Sequence, residues 1–209
     1  MDRRKRKTRE AIRQACLELI NEKGFEAMTI LDITERADIN RGTFYLHYVD
    51  KYAMLDSYEE EIIDRMRDII ESNLPDAPTF DNFISTRYPT LVQIFECFRD
   101  ERDVLDILFK TKGIISIQQR LTELFGYVFT EIVQPLSSDL NKHVPRELFL
   151  PIIVSICLGF AQYWMDSNEE YTPEFFAKGV LGIIVNGPAK AMGLLPGDVI
   201  DIEKLIEKA

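Results

Sequence analysis

The sequence predicts an all-α fold of about nine helices, in which an N-terminal head of three helices contains a helix-turn-helix and a larger helical body follows. Apolar residues recur every three or four positions along most of the chain, which is typical of amphipathic helices. No segment alternates apolar and polar residues over a useful strand length. Within residues 29–51, two short helical patterns flank a three-residue turn. We therefore place the head at residues 1–51 and the body at residues 52–209.

The first helix is predicted over Arg9–Lys23. Its apolar residues form one stripe, which consists of Ala11, Ile12, Ala15, Cys16, Leu19 and Ile20. Gly24 follows the stripe, and glycine commonly ends a helix because it adopts the left-handed conformation at little cost.

The second helix begins with a predicted capping box. The Thr29 hydroxyl can accept a hydrogen bond from the backbone N–H of Asp32, whose carboxylate suits the positive end of the helix. This helix is expected to run to about Ala37, and residues 38–40 form the turn. We expect the side chain of Asn40 to cap the helix that comes next.

The third helix is predicted from Arg41 to about His47. It is too short to be stable alone, so Ile39, Phe44 and Tyr48 are expected to anchor it. Its other face is polar, and proteins present such a face to the major groove of DNA. We interpret Arg41, Gly42 and Thr43 as readers of base edges and Thr29, Tyr45, His47 and Lys51 as phosphate contacts, with Asn40 at the start of this surface. The alternative is a solvated surface helix.

The charge of the chain is unevenly distributed. The net charge is −10, but residues 1–51 hold 11 Lys and Arg against 9 Asp and Glu, whereas the rest holds 14 against 26. Because exposed charges are screened beyond about 8 Å at physiological salt, the local potential decides what binds. The basic cluster at residues 3–9 is expected to form an arm in which Arg4 and Arg6 contact DNA phosphates or a minor groove. The alternative is a disordered, solvated tail.

The body is expected to be helical throughout. A fourth helix is predicted from Lys51 to about Asn73, and breaker residues fill positions 72–79. Further helices are predicted at about 80–99, 101–109, 114–133, 147–168 and 173–192, with a kink expected at Gly187–Pro188 and room for a short helix in the tail.

Several protein classes are disfavoured. No apolar run reaches the roughly 18 residues of a membrane span, and the N-terminus lacks the apolar stretch of a signal peptide, so we expect a soluble cytoplasmic protein that binds no membrane. Three cysteines at unrelated spacings are expected to be buried free thiols; a redox switch would need an exposed thiol of low pKa. The sequence has two histidines and shows neither a metal-ligand spacing nor a Gly-rich phosphate loop, so we expect no cofactor and no enzymatic activity. The alternative from a different class of function is an α-helical enzyme.

The segment Arg-Gly-Thr-Phe-Tyr-Leu-His-Tyr-Val-Asp-Lys, with Ile-Thr-Glu-Arg-Ala-Asp-Ile-Asn before it, resembles the signature of the tetracycline-repressor (TetR) family of bacterial transcriptional regulators. The resemblance covers roughly residues 8–55 and includes the Gly24–Phe25 stop after the first helix. It implies that Thr43, Tyr45, His47 and Lys51 face DNA while Phe44 and Tyr48 are buried. Asp38 departs from the glycine usual in this turn, although Asp tolerates the left-handed conformation better than most residues.

The resemblance also implies a homodimer and a small-molecule effector of unknown identity. The segments Leu148–Trp164 and Phe175–Val185 are apolar on more than one face, and the family's last two long helices form a four-helix bundle with those of a partner. Small residues that would permit close approach there are Gly159, Ala161, Gly179 and Gly182. The alternative is a wholly internal core in a monomer.

The effector pocket of the family lies among the middle body helices. Candidate ligand-binding residues are Tyr88, Gln93, Glu96, Gln119, Tyr127 and Trp164, although aromatic residues at helical spacing are more often core. The expected function is a ligand-relieved repressor that binds a palindromic operator as a homodimer. The alternative is an activator or co-activator of the same fold that acts through protein contacts without a small-molecule pocket.

Overall fold

The computed structural model describes residues 3–73, 83–112, 114–128, 146–167, 171–195, 197–198 and 200–207. All the regular structure in these ranges is helical, which confirms the all-α fold. The helices are α1 (Arg3–Lys23), α2 (Ile30–Arg36), α3 (Arg41–Tyr45), α4 (Lys51–Ser72), α5 (Phe83–Asp100), α6 (Arg102–Lys112), α7 (Ile114–Val128), α8 (Arg146–Asp166), α9 (Pro173–Asn186), α10 (Pro188–Ala191) and α11 (Ile202–Glu207).

The chain divides into two compact units. The first contains residues 1–62 and 103–114, and the second contains residues 63–102 and 115–209. Helix α4 therefore contributes its first part to one unit and its second part to the other, and α6 belongs with the N-terminal helices.

The core of the first unit forms beneath the inner stripe of α1. Ile12, Ala15, Cys16 and Leu19 are buried there, as the 3.6-residue periodicity requires. Buried side chains from the following elements complete this core, and they are Phe25, Met28, Ile33, Phe44, Met54 and Leu55.

Ion pairs fasten α2 to α1 at the surface of the first unit. The Arg36 guanidinium donates to the carboxylates of Glu18 (3.0 Å) and Glu22 (2.8 Å). The Lys23 ammonium lies 2.7 Å from the Asp32 carboxylate. Each exposed pair stabilises little by itself, but together the pairs connect α2 to α1 at three carboxylates.

Helix α1 begins at Arg3, several residues earlier than the sequence predicted. The expected arm is therefore wrong: the basic residues 3–7 are exposed on the first turns of a helix. Lys and Arg have good helix propensity, and a helix propagates easily once a packed stripe downstream has nucleated it.

Aromatic side chains fill the core of the second unit. Phe95 of α5, Trp164 of α8 and Phe176 of α9 meet there, with ring centroids of Phe95 and Phe176 5.4 Å apart and those of Trp164 and Phe176 4.9 Å apart. Phe95 and Phe176 are fully buried. This cluster holds α5, α8 and α9 together.

The end of α9 is set by Gly187, which has a φ of 74° and is followed by Pro188. The expected kink is thus a break between two helices. Beyond it, the Asn186 side chain accepts from the N–H of Ile200 (2.7 Å) and donates to its carbonyl (3.1 Å), and Lys178 pairs with Glu203 at 2.7 Å. These bonds fold the predicted tail helix, α11, back onto α9.

The four small residues assigned to a dimer interface fall into two groups. Gly159 and Gly182 have open space where a Cβ would be. Ala161, in contrast, is 1% exposed within the unit, and a Cβ on Gly179 would lie 2.9 Å from the Phe160 ring. The expectation for Ala161 and Gly179 is therefore wrong, since packing inside the chain already uses their small size.

All three cysteines are free and buried, as predicted. Burial raises the pKa of Cys16 and of Cys157 to about 12 and that of Cys97 to about 11. A thiol with such a pKa carries almost no thiolate at neutral pH and is a poor nucleophile. None of the described helices combines the length and apolarity that crossing a membrane demands.

Candidate nucleic-acid interface

The turn between α2 and α3 has the conformation that the sequence predicted. Asp38 adopts a φ of 51°, and the Ile39 N–H donates to the Thr34 carbonyl at 3.0 Å. The reversal needs one left-handed residue, and Asp is among the few side chains that accept this conformation at modest cost. The turn therefore survives without glycine.

The predicted capping box is present at the start of α2. The Thr29 hydroxyl accepts from the Asp32 N–H at 3.2 Å, and the Asp32 carboxylate accepts from the Thr29 N–H at 2.7 Å. Hydrogen bonds and the charge of Lys23 hold the pKa of Asp32 well below its usual range, the Lys23 contribution being the largest. The carboxylate is thus ionised at all physiological pH values.

Asn40 occupies the N-cap position of α3, but the expected side-chain cap is wrong. The Thr43 N–H, which such a cap would satisfy, donates instead to the Asn40 carbonyl at 2.8 Å. The Asn40 side chain makes no cap hydrogen bond and is exposed at the front of the helix.

Two aromatic residues anchor α3. Phe44 is fully buried and Tyr48 is 5% exposed, with ring centroids 5.6 Å apart. Tyr48 also meets Tyr58 of α4 at 6.1 Å. Ile39, the third predicted anchor, is only half-buried. The burial of the two aromatic anchors turns the opposite side of the helix outward.

The outward side of α3 presents Arg41, Gly42 and Tyr45 to solvent, with Thr43 half-buried at its edge. Arg41 and Tyr45 are paired: the guanidinium donates to the Tyr45 hydroxyl at 3.1 Å and lies 5.6 Å above its ring. The pair holds an exposed guanidinium in a defined direction, and a guanidinium can donate to two acceptors on a guanine edge.

Arg9 connects α1 to the residues that flank α3. It donates to the Tyr48 hydroxyl (3.2 Å) and to Ser57 Oγ (2.9 Å), and it pairs with Glu61. It thereby ties α1 to α4 on either side of the helix-turn-helix.

His47 lies half-buried in a cleft of about 390 Å³ near the start of α1. Burial, followed by the charges of Arg9 and Lys5, lowers the pKa of His47 below its usual value. Both effects favour the neutral imidazole, which can donate from one ring nitrogen.

The same cleft contains Lys5 of the predicted basic cluster and two residues that the sequence did not single out, Leu46 and Val49. Leu46 is 84% exposed and Val49 is 80% exposed. Two exposed apolar residues that line the same cleft indicate a contact surface, but their exposure cannot be read from the sequence. Arg4 and Arg6, expected to contact DNA, are exposed on the first turns of α1.

Lys51 is placed differently from the other predicted DNA contacts. Its ammonium donates to three backbone carbonyls, those of Phe25 (2.9 Å), Glu26 (2.9 Å) and Met28 (3.0 Å). An ammonium has three N–H donors, so all of them are engaged within the protein.

The residues suggested for ligand binding are spread over the second unit. Trp164 belongs to the aromatic core, Tyr88, Gln93 and Glu96 are half-buried on α5, and Gln119 is exposed and donates to Glu123. The side chain of Tyr127 lies outside the described part of the structure.

The second unit has a cleft of about 540 Å³, but no described candidate lines it. Its floor is apolar and its rim is charged, and its lining consists of Ile63, Arg67, Ile70, Glu71, Arg120, Glu123 and Leu124. Across the ranges that the structure describes, no group of three His, Cys, Asp or Glu is placed to hold a metal ion.

Comparison with known families gives two matches. The pattern described as bacterial regulatory proteins, tetR family, matches residues 12–58, and the pattern described as a transcriptional regulator C-terminal region matches residues 85–186. The first covers α2 and α3 with most of α1 and the start of α4, and the second covers much of the body.

Individual relatives agree with these matches. The HTH-type transcriptional regulator YxbF of Bacillus subtilis is 26% identical over 87% of this chain, although the chain spans only 45% of YxbF. The HTH-type transcriptional repressor KstR2 of Rhodococcus jostii is 26% identical over 82% of this chain and 86% of its own length. A crystal structure of a TetR-family regulator from Syntrophomonas wolfei, 22% identical, superposes with a TM-score of 0.64 over 92% of this chain and 99% of that chain, which establishes a shared fold.

Proposed function

Because the chain belongs to the tetR family of bacterial regulatory proteins and is a DNA-binding transcriptional regulator, we propose that it is a repressor released by a small molecule. It binds a palindromic operator as a homodimer in the cytoplasm, and ligand binding in the second unit lowers its affinity for that operator. The full-length relative KstR2, which is named a repressor, supports the sign of regulation.

The observation that carries the proposal is the two-sided character of α3. Phe44 and Tyr48 fix one side in the core, and the other side holds exposed hydrogen-bonding groups. Hydrogen-bond donors that are exposed to water do not stabilise a helix of five residues, whereas the major groove of DNA offers acceptors for them.

The exposed groups divide between bases and backbone. Arg41 reads a guanine edge, with Gly42 and Thr43 permitting close approach and contact with a thymine methyl. Asn40 and Thr29 lie at the starts of α3 and α2, where N–H groups favour phosphate. The remaining backbone contacts are Tyr45, His47 and Lys5 beside α3, and Arg4 and Arg6 on the first turns of α1.

Dimerisation is proposed through the exposed face of α8 and α9. Leu148, Ile152 and Tyr163 of α8 are 51%, 49% and 54% exposed, and Phe175 of α9 is 52% exposed. Gly159 has open space on the same helix. An apolar helix face of this kind is stabilised by burial against a second copy, and two-fold symmetry would then place two α3 helices about 34 Å apart.

Ligand relief is proposed through the cleft of the second unit. Its apolar floor and charged rim suit a molecule with an apolar body and a polar end. To shift a repressor from 99:1 to 1:99 between binding-competent and incompetent states, the ligand must favour the second by about 5.5 kcal/mol. Helix α4 lines this cleft with residues 63–71 and begins at Lys51, so its displacement is a route to the DNA-binding helices.

A second candidate is an activator or co-activator that acts through protein contacts. The exposed apolar residues Met192 (70%), Leu194 (72%) and Leu195 (54%) after α10 favour it, because they offer a surface to a protein partner.

A thermal-shift screen with a metabolite library distinguishes the two candidates. A ligand that binds only the folded protein raises its melting temperature, and for a relieved repressor the same ligand must release operator DNA. Glu71→Leu or Arg120→Leu, which alter the rim, should abolish both effects. A ligand that stabilises the protein but leaves operator affinity unchanged would contradict ligand relief.

A further inference from the structure

Lys51 occupies a position that is electrostatically unfavourable for a cation. It is the first residue of α4, where the exposed N–H groups and the helix dipole carry partial positive charge. Asp50, just before it, makes the usual contact there: its carboxylate accepts from the Ala53 N–H at 2.7 Å. A lysine at this point requires a separate source of stabilisation.

The structure supplies that stabilisation from the segment between α1 and α2. The Lys51 ammonium donates to the carbonyls of Phe25, Glu26 and Met28 at 2.9–3.0 Å. It also lies 4.9 Å from the ring centroid of Phe25 and 5.3 Å from that of Tyr52, within the range of cation–π attraction. We call this arrangement the Lys51 cage.

The cage is closed by a second pair of contacts. The rings of Phe25 and Tyr52 meet edge to face with centroids 5.4 Å apart, and the Tyr52 hydroxyl donates to the Glu26 carboxylate at 3.2 Å. The first turn of α4 and the loop before α2 are therefore joined by a charged centre, a ring pair and a hydrogen bond.

We propose that Lys51 is a positioning residue, which fixes the loop before α2 to the first turn of α4 and does not contact DNA. Residues 25–28 lead directly into Thr29, the cap of α2, and α2 holds α3 through the turn. Through the Lys51 cage, the start of α4 sets where the helix-turn-helix lies. The proposal is tested by two measurements, and only the second, which uses operator DNA, rests on the proposed function.

Charge and geometry can be separated by substitution. Lys51→Arg keeps the positive charge and is an equal or better phosphate ligand, but a planar guanidinium cannot direct donors at three carbonyls around one point. Lys51→Met removes the charge and keeps an unbranched side chain. Lys110→Met is the control, since Lys110 is exposed in the same unit and pairs with Asp106, one turn away.

The first readout needs no DNA. Amide hydrogen exchange is measured for the Met28 N–H, which donates to the Phe25 carbonyl, and circular dichroism verifies folding. We expect exchange at Met28 to accelerate at least tenfold in both Lys51→Arg and Lys51→Met, and not in Lys110→Met. Unchanged protection in Lys51→Arg would overturn the proposal, and a global loss of structure in that variant would support it, because charge is retained.

The second readout is the salt dependence of operator binding. A lost phosphate contact reduces the slope of log affinity against log salt by about one. We expect Lys51→Met and Lys51→Arg to weaken binding at least tenfold with the wild-type slope. A slope reduced by one in Lys51→Met and restored in Lys51→Arg would overturn the proposal. If the wild-type protein binds no operator, the proposed function fails while the exchange result still decides the role of Lys51.

Discussion

At the scale of single residues, DNA recognition depends on a few side chains that the core holds in place. The Arg41–Tyr45 pair illustrates this, because a hydrogen bond of 3.1 Å orients the guanidinium before DNA arrives. Preorganisation reduces the entropy lost on binding and makes one orientation of the base contact favourable.

Arg41→Gln should weaken operator binding by about 1–3 kcal/mol and relax the preference at one base pair in each half-site. Tyr45→Phe retains the ring and removes the hydroxyl, which is both the acceptor for Arg41 and the proposed backbone contact. We therefore expect a smaller loss of the same preference together with a loss of affinity that is equal at all positions. Fluorescence-anisotropy titrations with operators substituted one base pair at a time measure both effects. If Arg41→Gln lowered the affinity for every substituted operator equally, Arg41 would contact the DNA backbone and not a base.

His47 should give operator binding a pH dependence of defined sign. Burial, and then the charges of Arg9 and Lys5, lower its pKa in the free protein from the usual value. A phosphate beside the ring favours the protonated form, so binding raises the pKa and takes up a proton. Affinity at constant ionic strength should therefore increase as the pH falls from about 7.5 to about 5.5.

His47→Gln provides the comparison for that profile. It keeps a hydrogen-bond donor but cannot titrate, so its affinity should lack the His47 part of the pH dependence. Parallel profiles for the two proteins would contradict a phosphate contact at His47.

The sequence was sufficient for residues whose role depends on near neighbours. Phe44 and Tyr48 were correctly predicted to be buried, because a spacing of four residues places both on the same side of a helical segment. The contacts of Lys51 could not be predicted, since they involve carbonyls 23–26 positions away. The predicted side-chain cap of Asn40 is wrong because the Asn40 carbonyl, and not its side chain, accepts from the Thr43 N–H. The sequence does not specify the tight turn that produces this hydrogen bond.

At the scale of elements, the helix-turn-helix is stabilised mainly at its ends. Helices α2 and α3 have seven and five residues, which is below the length at which an isolated helix forms in water. The Thr29–Asp32 capping box and the buried anchors replace the missing length.

Thr29→Ala should lower the free energy of unfolding by about 1 kcal/mol, because the Asp32 N–H loses its acceptor. Thr29→Ser retains the hydroxyl and should lie close to the wild type. Chemical denaturation, followed by far-ultraviolet circular dichroism, measures both. Equal stability of the alanine and serine variants would show that the box contributes nothing.

Helix boundaries were predictable where a specific residue imposes them. Gly24 (φ 79°) ends α1 where expected, and Gly187 (φ 74°) ends α9 at the point where the sequence predicted a kink. The start of α1 was not predictable, because residues 3–7 contain no cap and their helicity depends on packing further along. The Arg9 contacts to Tyr48 and Ser57 show where that packing comes from.

At the scale of the whole molecule, regulation requires a dimer and a site for a signal. The dimer is proposed on the exposed face of α8 and α9. Ala161 illustrates why the sequence overestimates the extent of such a face. It is 1% exposed and therefore buried inside the unit, although it lies in the same apolar run as Gly159. The ligand candidates failed to converge for the same reason, since core and pocket residues share one composition.

Ile152→Asp should convert the protein to a monomer and reduce operator affinity at least 100-fold, because a buried unpaired carboxylate is costly. Leu194→Asp is the matched control: Leu194 is also an exposed apolar residue, but it lies in the tail. Sedimentation equilibrium gives the mass of each. If Ile152→Asp remained dimeric and Leu194→Asp became monomeric, the dimer interface would lie in the tail and not on α8 and α9.

In the proposed function, two copies of α3 read a two-fold symmetric DNA sequence. Selection of bound duplexes from a random pool by the full chain, followed by sequencing, tests it most directly. We expect an inverted repeat whose half-sites are centred about 10 base pairs, or one helical turn, apart. We also expect Arg41→Gln to lose one defined base pair from each half. Enrichment of a single asymmetric site, or of no sequence at all, would contradict the proposed function.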